Sequence, residues 1–305
     1  MSTPLRILKP IPVTDSILTS SSLTETDYPA WNAATAYAVG DRVIRTTTHR
    51  IYERIIAGTT ATAPEIDTAN WFEYSATNRW KMFDALVGSQ SAASGSTLTV
   101  TLTPGTIFNA VALLNVAATS ARVKVTNATD GVVFDTTYSM QSPPSMADYW
   151  NYFFEPIYQK TTALALDMPT YGSGTTVEIT ISNTGGNAAC GACLVGRTQT
   201  VGDMGIKTGA QIGITDYSRK ERNAFGEYQV VERAWNKRSQ MAMLVPNNQL
   251  DGLQSLFASL RTTPTLWVGA DNYESLAIYG YYKDFSAVIA YPNHSQMNLE
   301  IEGLI

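Results

Sequence analysis

The stretch that decides the fold class is residues 97–102, TLTVTL, in which polar and apolar residues alternate strictly. Successive side chains of a β-strand point to opposite faces, so the pattern predicts a strand with Leu98, Val100 and Leu102 on its buried face. Similar patterns occur in ARVKV, GVVFD and TVEITIS, with NATDG and PTYGSG as turn sequences. Short strands separated by turns predict a β-sandwich or jelly roll over residues 76–200.

The composition indicates a mainly β, multidomain protein with a polar surface of low charge. Of the 305 residues, 44% are hydrophobic and 15% are charged, whereas an average protein has roughly 25% charged residues. The net charge is -5 and there is no basic run, so contacts to nucleic-acid phosphates are not expected. No apolar run reaches the ~20 residues of a membrane span. We therefore expect no nucleic-acid partner and no membrane span.

The hydrophobic residues within 1–29 do not recur with the period of a helix or of a strand. Their one short apolar stretch is interrupted by Pro10 and Pro12. This pattern is typical of an extended N-terminal arm rather than of a signal peptide.

Residues 30–75 form a small unit that begins and ends near a tryptophan. The sequences DRVI and RIYERI predict two strands separated by the polar turn TTTH. A unit of this size buries little of its surface, so large rings would suit its core. The alternative is an exposed platform for sugar, for which the candidate contacts are Tyr37, Tyr52 and Trp71.

Residues 201–305 are predicted to form an α+β domain with one main helix on a sheet. The helix is expected within PNNQLDGLQSLFASLRTTP, where Leu250, Leu253, Phe257 and Leu260 form one apolar stripe. Strands are expected at QMAMLV, TLWVG, LAIYGYYKDFSAVIAY and MNLEIEGLI. The charge cluster DYSRKER is predicted to be a solvated or interface surface.

The two cysteines, Cys190 and Cys193, have the CxxC spacing of a redox pair or half of a metal site. The surrounding AACGACLVG indicates a buried strand instead, in which these positions point to opposite faces. The two histidines, His49 and His294, are not spaced as metal ligands. We therefore expect two small buried residues, no metal site and no cofactor.

No catalytic motif occurs in the sequence, and we predict that the protein is not an enzyme. Glycoside hydrolysis requires only two carboxylates. The acids considered for that role are Glu155, or Asp271 with Glu274.

The aromatic run YWNYFFEPIY, residues 149–158, is apolar on both faces of a strand. It is predicted to be covered by neighbouring elements rather than to form an exposed patch.

The stretch 31–74 resembles the small chitin-type carbohydrate-binding module often found in phage tail proteins. The matching residues are Trp31, the TAYAVGDRV sequence with Tyr37, Gly40 and Asp41, then Tyr52 and Trp71. In that family these rings are largely the core of a small three-stranded sheet, which the resemblance implies here. The sugar-binding face of the family carries further aromatics just after the tyrosine-containing strand. Here that place holds Ile55 and Ile56, which stack poorly on sugar.

The remaining chain has two further resemblances. Residues 76–197 look like a galactose-binding-type jelly roll, through NRWKMFD, FNAVALLNV, ARVKVTNATDG and the closing VEITIS and CLVGR. The C-terminal part, from DYSRKER to NLEIEGLI, is similar to proteins encoded among the tail-tip genes of long-tailed bacteriophages. Together these resemblances imply a tail-tip or baseplate component that resides in the virion and is made in the host cytoplasm.

Three functions follow as hypotheses. The first is a structural component that docks on other tail proteins in a symmetric multi-copy ring and presents its β-domains toward the host surface or fibres. The second is a glycan-binding adhesin that recognises host surface polysaccharide. The third is a depolymerase, for which no sequence motif is present.

Overall fold

The computed structural model describes residues 4–142, 149–154, 159–202, 210–222, 225–270, 273–289 and 291–304, which are mainly β. The strands in chain order are β1 (Leu5–Pro10), β2 (Leu18–Ser21), β3 (Arg42–Arg45), β4 (Arg50–Arg54), β5 (Trp71–Ala76), β6 (Ser91–Ala92), β7 (Thr97–Leu102), β8 (Ala110–Ala117), β9 (Ser120–Asn127), β10 (Gly131–Ser139), β11 (Ala163–Ala165), β12 (Thr175–Ser182), β13 (Ala189–Val201), β14 (Gln211–Asp216), β15 (Arg219–Arg222), β16 (Tyr228–Val231), β17 (Trp235–Pro246), β18 (Thr265–Val268), β19 (Ala277–Val288) and β20 (His294–Gly303). The helices are α1 (Tyr149–Phe154) and α2 (Leu250–Leu260), and short 3-10 turns span Lys81–Phe83, Asn247–Gln249 and Glu274–Leu276.

Two packed sheets form the predicted β-sandwich. One is a five-stranded sheet in the order β10-β9-β12-β7-β2, and the other is the β11-β8-β13 part of a ten-stranded sheet. Leu98, Val100 and Leu102 of β7 are buried in the core between them, together with Leu113 of β8. The alternation in TLTVTL therefore predicted the buried face correctly.

The first strand corrects the prediction of an N-terminal arm over residues 1–29. β1 lies inside the ten-stranded sheet, antiparallel to β13 on one side and to β18 on the other. Leu5, Ile7 and Leu8 are fully buried, which gives this segment a place in the core despite Pro10 and Pro12. β2 likewise pairs with β7.

The ten-stranded sheet continues across the predicted boundary between residues 76–200 and residues 201–305. β13 ends at Val201 and pairs with β1, β1 pairs with β18, and the order β18-β19-β20-β17-β14 follows. β1 therefore connects the two regions, through its backbone hydrogen bonds to β13 on one side and to β18 on the other. The domain boundaries themselves stay predictions.

The main helix lies where the apolar stripe predicted it. Leu253, Phe257 and Leu260 are buried in a core that includes Trp267 of β18 and Met243 of β17. The rings of Phe257 and Trp267 are stacked with their centroids 5.8 Å apart. One helix thus covers the C-terminal half of the sheet, as expected for an α+β region.

Residues 30–75 contain a small three-stranded sheet, as the family resemblance implies, and β3 and β4 are the two strands that the sequence predicts. Its order is β3-β4-β5, and all neighbours are antiparallel. The register places Arg42 opposite Glu53 and Glu53 opposite Phe72, so these three residues form one row across the sheet.

The cysteines are buried and free, as predicted, but the prediction that they face opposite sides of the strand is wrong. Cys190 and Cys193 both lie in the sandwich core, whereas Ala192 contributes to a different cluster. Alternation breaks in both strands at one place, where Gly191 of β13 packs against Asn115 of β8, whose φ is 51°.

Burial determines the chemistry of both thiols. It raises the pKa of Cys190 to about 12 and raises the pKa of Cys193 well above its ordinary value. Both groups therefore stay protonated at neutral pH, which does not suit redox or metal chemistry.

The aromatic run is helical at its start, which corrects the prediction of a covered strand. α1 carries Trp150, Phe153 and Phe154, and all three side chains are exposed. Their spacing places them on one face of a helical turn, and the rings of Trp150 and Phe154 are 4.4 Å apart. Residues 155–158 of the run lie outside the described residues.

The close approach of β13 to Asn115 gives a stability prediction. A methyl group at Gly191 would collide with the carbonyl oxygen of Val87 and would lie 2.7 Å from Cβ of Asn115. We expect Gly191→Ala to lower the free energy of unfolding by about 1–3 kcal/mol, the usual effect of overpacking a core, in urea denaturation followed by circular dichroism.

Gly252 is the matched control, because a methyl group there meets no atom within 4 Å. Gly252→Ala on α2 should leave stability unchanged or raise it by up to about 1 kcal/mol. Equal unfolding midpoints for Gly191→Ala and the unmodified protein would contradict the packing described.

Candidate functional site

The rings predicted as sugar contacts form the core of the three-stranded unit. Tyr52 is 4% exposed and Trp71 is 2% exposed, and they pack together with Val43. Tyr37 is half-buried against them, with its ring centroid 5.1 Å from that of Trp71 in an edge-on arrangement. This corrects the candidate contacts Tyr52 and Trp71, because a buried ring presents no face to a sugar, whereas the role of Tyr37 stays a prediction.

Polar contacts hold these rings in place. The hydroxyl of Tyr37 accepts a hydrogen bond from the backbone N–H of Asn32 at 2.8 Å. The hydroxyl of Tyr52 lies 3.4 Å from that of Thr48, and burial raises the pKa of Tyr52. These are the contacts of a structural core.

A buried arginine completes this core. The guanidinium carbon of Arg54 lies 4.9 Å from the ring centroid of Trp71, and Nη1 donates to Oγ1 of Thr60 at 3.2 Å. Nε of Arg54 has no hydrogen-bond partner among the described residues. The cation is stabilised here by the aromatic face, which gives Trp71 a second structural role.

The opposite face of the sheet exposes a different pair of rings. Phe72 is 58% exposed and Tyr74 is 48% exposed, both on β5. The guanidinium of Arg42 lies over the ring of Tyr74, with Cζ 3.7 Å from the centroid. We call Phe72, Tyr74, Arg42 and Glu53 the outer face.

Hydrogen bonds fix Arg42 in this position. Its Nε donates to Oε2 of Glu53 at 2.8 Å, and its Nη1 donates to the hydroxyl of Tyr28 at 3.2 Å. The bonds to Tyr28 and Glu53 raise the pKa of Arg42 above its ordinary value. The outer face therefore offers an ordered cation and a carboxylate beside two apolar rings.

Alternation within WFEYSA contains the signal for this face. Side chains alternate along a strand and the ring of Trp71 lies in the core. We therefore expect Phe72 and Tyr74, one and three positions later, to point outward. The family resemblance places the sugar-binding face at Ile55 and Ile56 instead. Both side chains are exposed, but neither is aromatic.

His49 joins the three-stranded unit to the sandwich. Its Nδ1 lies 2.9 Å from Oε1 of Glu25, and its Nε2 lies 3.1 Å from Oδ2 of Asp15. The imidazole also stacks on Trp80 with the ring centroids 4.0 Å apart. Because Trp80 belongs to the sandwich core, this contact orients the three-stranded unit relative to the sandwich.

The residues considered for metal binding or glycoside hydrolysis do not form a site in the described part of the chain. There, no group of three or more His, Cys, Asp or Glu side chains could hold a metal ion. Glu155 and Asp271 lie outside the described residues. Oε1 of Glu274 accepts hydrogen bonds from the N–H and hydroxyl of Thr161, at 3.0 and 2.8 Å. Within the described ranges, no helix has the length and apolarity of a membrane span.

Comparison with known proteins identifies no family. The sequence matches no protein-family model and no curated protein. Among solved structures, the chain is similar to a mutant form of chitosan-binding module 1 from a chitosanase/glucanase of Paenibacillus sp. IK-5. The identity is 13%, the match covers 38% of this chain and 82% of that one, and the TM-score is 0.26. A likeness of this size establishes neither family nor function.

The two faces of the three-stranded sheet should respond differently to mutation. Trp71→Ala removes a fully buried ring, so we expect the free energy of unfolding to fall by about 3–5 kcal/mol. Phe72→Ala removes an exposed ring and should change it by no more than about 0.5 kcal/mol. Urea titrations followed by circular dichroism measure both, and a larger loss for Phe72→Ala would reverse the assignment of core and outer face.

Proposed function

We propose that the protein is a non-enzymatic structural component of a bacteriophage tail tip or baseplate that also contacts host-surface carbohydrate. The outer face is the observation that supports carbohydrate binding. Phe72 and Tyr74 both expose their rings on β5, and an ordered guanidinium lies over the ring of Tyr74 beside the carboxylate of Glu53. Isolated exposed apolar residues are ordinary, but two aromatic rings with fixed polar neighbours form a ligand surface.

The chemistry of this face suits a sugar ring. Aromatic faces stack on the C–H faces of pyranoses, while the guanidinium of Arg42 donates hydrogen bonds and the carboxylate of Glu53 accepts them. A shallow surface of this kind binds weakly as a single copy. Repetition of the site around a symmetric ring of subunits would raise the overall affinity through effective concentration.

The tail-tip part of the proposal rests on the sequence resemblances and on the C-terminal surface. Every residue of the paired strands β15 and β16 is exposed, including Tyr228 and Val230. The neighbouring edge strand β14 exposes Ile212 and Ile214. Large exposed apolar areas commonly mark protein interfaces, so we propose that this surface docks on another tail or baseplate protein.

Charges surround this docking surface. Arg219 and Glu221 form an ion pair at 2.6 Å, and Nζ of Lys220 lies 2.7 Å from Oδ2 of Asp216. Exposed pairs of this type add little stability, but they can set the register of a partner. In this proposal the protein is made in the host cytoplasm and resides in the virion.

Carbohydrate binding by the outer face has a direct test. Chitin and lipopolysaccharide serve as probes in pull-down and titration experiments with the full chain. We expect Tyr74→Ala to weaken binding about tenfold, because a stacked ring contributes up to roughly 1.5 kcal/mol. Ile66→Ala is the matched control, since Ile66 is exposed in the same unit but is not aromatic. Unchanged binding by the Phe72→Ala/Tyr74→Ala double variant would rule out this face.

The tail-tip assignment is tested on phage particles from the source of this sequence. An antibody raised against the chain should label one end of the tail in electron micrographs, and mass spectrometry should find the chain in several copies per particle. Particles that lack the chain would overturn the tail-tip proposal without affecting the test of carbohydrate binding.

A further inference from the structure

The ten-stranded sheet ends in a strand whose outer edge is open. β14 is the last strand in the order of the sheet, and among the described residues it pairs only with β17. This pairing extends over all six residues of β14, Gln211–Asp216, without a bulge. The backbone N–H and C=O groups that point away from β17 can therefore bond to a further strand.

The sequence of β14 lacks the features that usually keep an edge strand from pairing. Lysine, proline and bulges have this role in natural sheets. The sequence QIGITD contains neither lysine nor proline. Its one charged residue, Asp216, ends the strand and lies 2.7 Å from Nζ of Lys220. A regular, uncharged edge of this kind favours the addition of a strand.

The two isoleucines of β14 lie on the face of the sheet that α2 covers. Ile212 is directly opposite Ser239 of β17, which is directly opposite Ile301 of β20. Directly opposed residues of antiparallel strands point to the same face, and Ile301 lies in the core beneath α2. Ile214 shares this face by alternation. Ile212 is nevertheless 59% exposed and Ile214 is 65% exposed, so this apolar face continues beyond the helix.

Two copies of β14 complement each other when they run antiparallel about a twofold axis at Gly213. Ile212 of each copy then lies opposite Ile214 of the other, and Gln211 lies opposite Thr215. The axis is perpendicular to the sheet, so the isoleucines of both copies lie on the same side. Cross-strand pairs of β-branched residues stabilise a sheet, and glycine places no side chain at the axis.

Neighbouring registers match less well. An axis at Ile214 would place Ile212 opposite the carboxylate of Asp216. An axis at Ile212 would place Ile214 opposite Ala210. Of these three registers, the one centred on Gly213 is therefore the one that pairs both isoleucines with isoleucine.

We propose that β14 pairs with β14 of a second copy of this chain, which joins the sheets of two copies into one. The contact is isologous, because both copies use the same residues. This inference rests on the docking surface proposed above. It assigns the β14 part of that surface to a second copy and leaves β15 and β16 to the other tail or baseplate protein.

A cysteine on the twofold axis tests this pairing directly in the full chain. Directly opposed Cα atoms of antiparallel strands are about 4.5–5.5 Å apart, which suits a disulfide. A Cβ at Gly213 fits, since the nearest atoms are 3.8 Å away in the side chain of Arg238. Cys190 and Cys193 are buried. We expect copper phenanthroline to oxidise most of Gly213→Cys to a covalent dimer on non-reducing gels, and dithiothreitol to reverse it.

Two control cysteines test the register. In the proposed dimer the two copies of Thr215 are four residues out of register, which separates them by roughly 13 Å. Thr215→Cys should therefore remain uncross-linked, although it lies in the same strand. Gly252→Cys on α2, where a Cβ meets no atom within 4 Å, should also remain uncross-linked. Equal cross-linking of Gly213→Cys and Thr215→Cys would contradict the register.

Sedimentation equilibrium measures the dimer without any cross-link. A single strand edge is a small interface, so we expect a dissociation constant in the micromolar range. Ile212→Lys should raise this constant at least about tenfold, because the twofold axis places the lysine in two cross-strand pairs. Ile66→Lys is the matched control, since Ile66 is an exposed isoleucine of the three-stranded unit. Circular dichroism checks that both variants fold.

Three results would overturn the inference. They are a chain that remains monomeric up to the millimolar range, a dimer that Ile212→Lys does not weaken, and a Gly213→Cys chain that cross-links in phage particles only to a different tail protein. A monomeric chain that still labels the end of the tail would overturn the dimer alone, so its failure differs from failure of the tail-tip proposal.

Discussion

The strand β1 is the constraint on which the rest of the ten-stranded sheet depends. It lies between β13 and β18 and pairs with both. Leu5 and Ile7 enter the core beneath α2, while Leu8 enters the neighbouring core that includes Leu266. Without β1, the facing edges of β13 and β18 would expose unpaired backbone groups, which is costly in a buried sheet. The first residues of the chain thus pair with residues 196–201 on one side and 266–268 on the other.

This constraint explains what the sequence could and could not predict. Local patterns identified β7, β12 and α2, because in each of them one face is apolar at the period of the element. The sequence does not predict β1, because Pro10 ends its short apolar run. No local pattern indicates that strands pair with it on both sides. The sequence does not predict the shared face of the cysteines for a related reason. It accompanies the close packing of Gly191 on Asn115 of another strand, which the CxxC spacing does not show.

The sequence likewise predicts the buried rings of the candidate site but not the contacts that depend on strand pairing. Composition and size favoured a core of rings, and the burial of Tyr52 and Trp71 agrees with that interpretation. The exposed partners, Phe72 and Tyr74, follow from alternation once Trp71 is known to be buried. The position of Arg42 over Tyr74 could not be predicted, because it depends on the pairing of β3, β4 and β5 and on the hydroxyl of Tyr28.

The junction between the sandwich and the C-terminal half follows from the same sheet. A cavity of about 420 Å³ lies there, with β8 of the sandwich on one side and β17 of the C-terminal half on another. These strands belong to the same sheet because β13, β1, β18, β19 and β20 connect them in that order. The outer face needs no such connection, since its four residues all lie on β3, β4 and β5.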